Sequence, residues 1–168
     1  ETQSIRTEIE PRGALRSCRG LALRREPAGE RTARRMDMAM GEDVFFLEAL
    51  HLSDGRPLQL ERRYVRPSFS PDFLKQDFSA ATASDFLVRT VPYGGLEHVV
   101  SAIAPTEDIA SKLAITPDTP CLQLSRKTRA GESIITDVDL IHPGTSFRLS
   151  GTMPAVPVAQ RVASGPAS

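Results

Sequence analysis

The sequence predicts an α+β domain built on a mainly antiparallel sheet. Two hairpin patterns are separated by short helical stretches, strand and helix do not alternate regularly, and the hydrophobic fraction of 40% across 168 residues suffices for one core. A doubly wound parallel fold would need the regular alternation that is missing here.

The elements follow in order. Residues 4–12 suit a short helix, with Gly13 behind it as a stop. Residues 16–25 set Leu21 and Leu23 in alternation with Ala22 and Arg24, a strand pattern that Glu26-Pro27-Ala28-Gly29 breaks. Residues 30–40 suit a helical turn and hold the chain's basic cluster, Arg31, Arg34 and Arg35. With Glu30 and Asp37 beside it, that cluster reads as a solvated face rather than a phosphate site.

Residues 44–65 form the clearest local structure, two extended runs around Ser53-Asp54-Gly55-Arg56-Pro57. A three-residue loop with Gly55 left-handed sets His51 opposite Gln59, Ala49 opposite Glu61 and Leu47 opposite Arg63. Phe46, Leu50, Leu52, Leu58, Leu60 and Tyr64 then share the other, core face. The face carrying His51, Gln59, Glu61 and Arg63 fits a binding surface, and a solvated sheet face has the same pattern.

A connecting segment with Pro67 and Pro71 leads to a helix over residues 83–91, capped by Thr82 with Asp85 three positions later. Residues 96–104 read as a strand, and Thr106 caps a helix that runs to about residue 113. Residues 121–128 and 134–142 make a second hairpin around Ala130-Gly131-Glu132, and residues 147–149 a short last strand. From Gly151 the composition turns to Pro, Ala, Ser, Gly and Val without periodicity, as in a mobile tail.

Composition narrows the function. Lys plus Arg and Asp plus Glu each number 21, so the domain lacks the basic excess that holding nucleic acid by itself requires. Cys18 and Cys121 lie far apart and form neither a metal motif nor a disulfide framework, which predicts reduced thiols in the cytoplasm. No signal peptide or membrane span is legible. Neither a Gly-rich phosphate loop nor a nucleophile elbow is present, so no catalytic residue is assigned. His51, His98 and His142 match no metal-ligand spacing, and no metal or cofactor is expected. On the late strand Ile134, Thr136, Val138, Leu140 and His142 share a face, so two hydrogen-bonding residues bracket an apolar patch. Either a ligand or the neighbouring backbone can satisfy them.

Several strings resemble a known family. Residues 54–65 (DGRPLQLERRYV), Glu97-His98-Val99-Val100 and residues 120–149 are similar to the UTRA domain, the chorismate-lyase-like effector-binding half of one branch of GntR-type bacterial regulators. Residues 71–78 (PDFLKQDF), Glu97-His98-Val99-Val100 and Leu140-Ile141-His142-Pro143-Gly144 resemble the histidine-utilization branch in particular. The resemblance implies a chorismate-lyase-like fold over residues 14–150, with residues 1–13 as a linker from an N-terminal winged helix-turn-helix domain and 151–168 as a tail. It also implies a homodimer, operator DNA held only through that other domain, and urocanate as the small-molecule effector. Sugar-phosphate-sensing relatives carry arginines where this chain has Ala49 and His51, which argues for a less charged effector. Their contacting positions fall at Glu61, Thr136 and His142.

On this reading urocanate lies across the sheet. Its carboxylate meets the start of the helix at Ala83, with Thr82, Ser84 and Arg63 as partners. Glu61 and His142 take the imidazole, His51 lines the same face, and Tyr93 closes the edge. The alternatives are a different metabolite, an enzyme on the chorismate-lyase fold, or a dimerisation module without a ligand.

Overall fold

Asp54 and Gly55 both adopt left-handed backbone angles, φ 47° and 76°, the conformation that lets a two-residue turn match the twist of its flanking strands. The loop is therefore two residues long rather than three. The extra residue is Leu58, skipped where the register shifts, so that Leu52 meets Pro57 while His51 still meets Gln59. Ala49 opposite Glu61 and Leu47 opposite Arg63 follow as the alternation requires.

The computed structural model describes residues 5–8 and 15–151. In chain order the elements are strands β1 (Ile5–Glu8) and β2 (Arg16–Pro27), helix α1 (Glu30–Met36), and strands β3 (Asp43–Ser53) and β4 (Arg56–Val65). A 3-10 turn (Phe73–Lys75), helix α2 (Ala83–Thr90), strand β5 (Gly95–Ile103) and helix α3 (Glu107–Leu113) follow. Strands β6 (Cys121–Ala130), β7 (Ser133–Pro143) and β8 (Arg148–Gly151) complete the set. Strands β2 to β7 form one antiparallel sheet in the order β2-β3-β4-β7-β6-β5.

Strands β1 and β8 form a separate antiparallel pair, with Ile5 opposite Gly151. The helix expected over residues 4–12 is thus a strand at Ile5–Glu8, and the rest of that stretch lies outside the described residues. Local propensity is a weak guide when the pairing partner is distant in sequence. Most of the expected tail likewise lies outside them, and Gly151 itself ends β8.

Both faces of the six-stranded sheet are covered over its central strands. Helix α2 and the 3-10 turn lay Phe73, Ala83 and Leu87 against Phe45, Leu47 and Val65 on one face. On the other, Ile109 and Leu113 of α3 pack on Leu50, Leu60 and Ile141. Helix α1 sits on that second face too, where Arg35 forks onto Asp137 and Asp139 of β7. Arg31 and Arg34 are exposed, as a solvated face requires, but Arg35 turns inward to these two carboxylates. No helix among the described residues is long and apolar enough to cross a membrane.

The cap of α2 forms as its sequence requires. Thr82 Oγ1 accepts from the Asp85 amide at 3.1 Å and donates to the Asp85 carboxylate at 2.7 Å. This cap fixes where α2 begins and so where Ser84 stands over the sheet.

Candidate functional site

The face under α2 carries a buried polar chain along neighbouring strands. Period-two alternation turns His51 of β3, Glu61 and Arg63 of β4, and Thr136 of β7 to this one side. His51 Nε2 lies 2.7 Å from Glu61 Oε2, and Arg63 Nε donates to Glu61 Oε1 at 2.6 Å. The Arg63 fork reaches further, donating from Nη2 to Ser84 Oγ at 2.8 Å and from Nη1 to Thr136 Oγ1 at 3.3 Å. Glu61 is only 3% exposed and Arg63 only 4%. A solvated sheet face is therefore excluded for these two residues.

Charge is balanced within the chain. Burial pushes the Glu61 carboxyl up, but the Arg63 charge and the His51 contact outweigh it and hold its pKa at about 2. Burial pushes His51 down, while hydrogen bonding to Cys18 and Glu61 and the Glu61 charge lift it to about 9. Cys18 stands directly across from His51 in the β2–β3 register.

His142 shares the face but not the network. It is 1% exposed and stacks on Phe147 with ring centroids 3.8 Å apart, and neither ring nitrogen has a well-formed hydrogen bond. Burial drives its pKa down to about 4, only partly offset by the backbone of Leu122 and Leu140. The ring is thus a neutral core group.

The two histidines give folding stability a defined pH profile. From pH 6.5 upward the unfolded chain has released the His51 proton while the folded chain keeps it to about 9, so stability falls across that window. From pH 6.5 down to about 4 the unfolded chain protonates at His142 and the folded chain does not, so stability falls there too. Urea denaturation at pH 4.5, 6.5 and 9.5 is expected to give its highest midpoint at 6.5, with a decline of up to about 3 kcal/mol on the alkaline side. A flat profile above pH 6.5 would show that His51 is not held as a cation.

A cavity of about 320 Å³ opens beside Arg63, at the lower end of the roughly 300–1,000 Å³ usual for ligand pockets. Its polar wall is Arg63, Ser84, Arg126, Thr128 and Thr136, and its apolar wall Leu87, Val88, Tyr93 and Leu96. Of the residues singled out from the sequence, Arg63, Ser84, Tyr93 and Thr136 line it. Glu61 stands behind Arg63 with both oxygens engaged. His51 and Thr82 line a second opening of about 200 Å³, and His142 lines neither.

Sequence reasoning missed Arg126 and Thr128. Their signal was present: once Leu124 of β6 points into the core, alternation sends Arg126 and Thr128 the same way. The adjacent Lys127 made the local pattern read as charged on both faces. Among the described residues no group of three or more His, Cys, Asp or Glu side chains is placed to hold a metal.

The family model of the UTRA domain matches residues 12–148. The chain belongs to the UTRA domain family. Among curated relatives, the histidine utilization repressor of Pseudomonas putida is 39% identical over 151 residues, covering 90% of this chain and 61% of that protein. The repressor of the same name from Klebsiella aerogenes is 32% identical and covered to 63%. This UTRA domain thus spans under two thirds of the length of the repressors it matches. Among solved structures, the C-terminal domain of the histidine utilization repressor from Pseudomonas syringae pv. tomato superposes with a TM-score of 0.81 at 36% identity. That match covers 84% of this chain and all of the other. The effector domain of PhnF from Mycobacterium smegmatis shares the fold, with a TM-score of 0.75 at 19% identity over 85% of this chain and 90% of its own. A UTRA domain is a regulatory domain, so the catalytic alternative on this fold is set aside.

Proposed function

We propose that this UTRA domain is the effector-sensing part of a repressor of histidine utilization. In this reading its effector is urocanate, and binding releases operator DNA held by a separate winged helix-turn-helix domain. One observation supports it most strongly: a half-open cavity whose polar wall is made of guanidinium and hydroxyl groups beside an apolar wall. That combination suits a small ligand with one carboxylate and one flat ring. The carboxylate meets Arg63 and the Ser84 and Thr136 hydroxyls, the ring lies toward Tyr93, and Glu61 positions Arg63 rather than touching the ligand.

The working unit in this reading is a homodimer. Strand β5 is a sheet edge exposed along nearly its whole length, with Leu96 57%, Val99 50% and Val100 42% accessible. Unpaired edges with apolar side chains are normally covered by a partner. Leu96 also belongs to the cavity wall, so a ligand there can bias one pairing of subunits over another.

Isothermal titration of the domain with urocanate, histidine and N-acetylglucosamine 6-phosphate, with sedimentation velocity on the same sample, tests both parts. Saturable heat with urocanate alone and a dimeric species are expected. Heat with one of the other two ligands and none with urocanate would discard the effector and keep the sensor. No heat from any, with a stable dimer, would favour a dimerisation module.

A further inference from the structure

We infer that Arg126 is a second ligand-binding cation, and that the cavity selects its ligand by a single carboxylate on a flat apolar body, not by an imidazole. This rests on the cavity being the effector site. Arg126 and Arg63 stand on either side of Val138, which pairs with Arg63 across β4–β7 and with Arg126 across β7–β6. Their strands are therefore about 10 Å apart, a span that one bound anion bridges with both guanidinium forks.

Arg63 is already matched, by Glu61. Arg126 is not. It has no ion pair or hydrogen bond among the described residues, and its Nε is buried without a partner. Burial and then the charge of Arg63 disfavour its cation, and Tyr93 and Glu61 offset this only in part. A half-buried guanidinium that faces another cation and lines a cavity weakens the ligand-free protein, and an anion in the cavity relieves that cost.

The remaining wall sets the body of the ligand. Leu87, Val88 and Leu96 offer no hydrogen bond, and Tyr93 offers one hydroxyl at the rim. Both Glu61 oxygens are occupied, and His142 is packed away on Phe147. The acceptors left for a ring N–H are uncharged hydroxyls such as that of Thr128, with no free carboxylate among them, so a ring without nitrogen is penalised little. The ligand class is accordingly the planar aryl or heteroaryl carboxylates.

The test is titration of the domain with urocanate, with cinnamate (a phenyl ring on the same acrylate) and with imidazole. Each is repeated on Arg126→Met and Arg126→Lys, with the thermal midpoint of each ligand-free variant. Urocanate and cinnamate are expected to bind within about tenfold of each other, and imidazole not at all. Arg126→Met is expected to weaken both acids by about 10- to 100-fold with an unchanged or raised thermal midpoint, and Arg126→Lys to recover part of the loss. Wild-type affinity in Arg126→Met would remove Arg126 from the site. Binding of urocanate with silence from cinnamate would overturn the ligand class and leave the sensor function standing. Silence from both acids with wild-type protein would remove the effector reading itself.

Discussion

Glu61→Ala is expected to cost about 3–5 kcal/mol of unfolding free energy, the range for breaking one side of a buried ion pair. Arg63 would stay buried without its carboxylate, and His51 would lose the acceptor 2.7 Å from its Nε2. The hydroxyls of Ser84 and Thr136 would still receive the Arg63 fork but carry no charge to balance it. Urea denaturation with the slope held constant measures the loss directly. Glu61→Gln keeps one acceptor oxygen and should lose less, separating the charge from the shape. A loss below about 1 kcal/mol for Glu61→Ala, typical of exposed pairs, would mean that Arg63 finds solvent and that its geometry does not depend on Glu61.

The second large effect lies on the opposite face. Arg35 donates four hydrogen bonds to Asp137 and Asp139, tying α1 to β7. The Asp137 side chain is fully buried, while Arg35 keeps 22% of its surface, so Arg35→Ala is expected near the lower end of the same range, about 3 kcal/mol. Two carboxylates on alternate positions of one strand would then face each other without a cation. Asp139, whose pKa is now held down against burial by Arg35 and Ser125, would take up a proton at higher pH, and acid unfolding would begin earlier. Adding Asp137→Asn to Arg35→Ala should recover part of the loss. A double variant no more stable than Arg35→Ala alone would assign the effect to lost packing of α1.

These two clusters show what local reading can and cannot reach. The register of the first hairpin was legible because Asp-Gly fixes the turn and period-two alternation carries every later residue to a face. Thr136 was likewise legible as facing the same way as Val138 and Leu140. The two caps, Thr82 and Thr106, are local chemistry and formed as read. Arg35 was misread because its partners lie about a hundred residues away, and an arginine beside Glu30 and Asp37 has every local reason to stay in solvent.

The α+β class, the antiparallel hairpins, the faces of the first hairpin's residues and, through its strings, the UTRA family were therefore legible in the sequence alone. Those follow from backbone periodicity, turn geometry and caps, all set within a few residues. Three features came from the folded arrangement alone: Glu61 and Arg63 are buried as a pair, His142 is a core ring on Phe147, and Arg126 faces a cavity without a partner. Burial depends on which helix covers a face, and charge pairing on which strands become neighbours. Both are fixed by strand order and helix packing, which no local window contains.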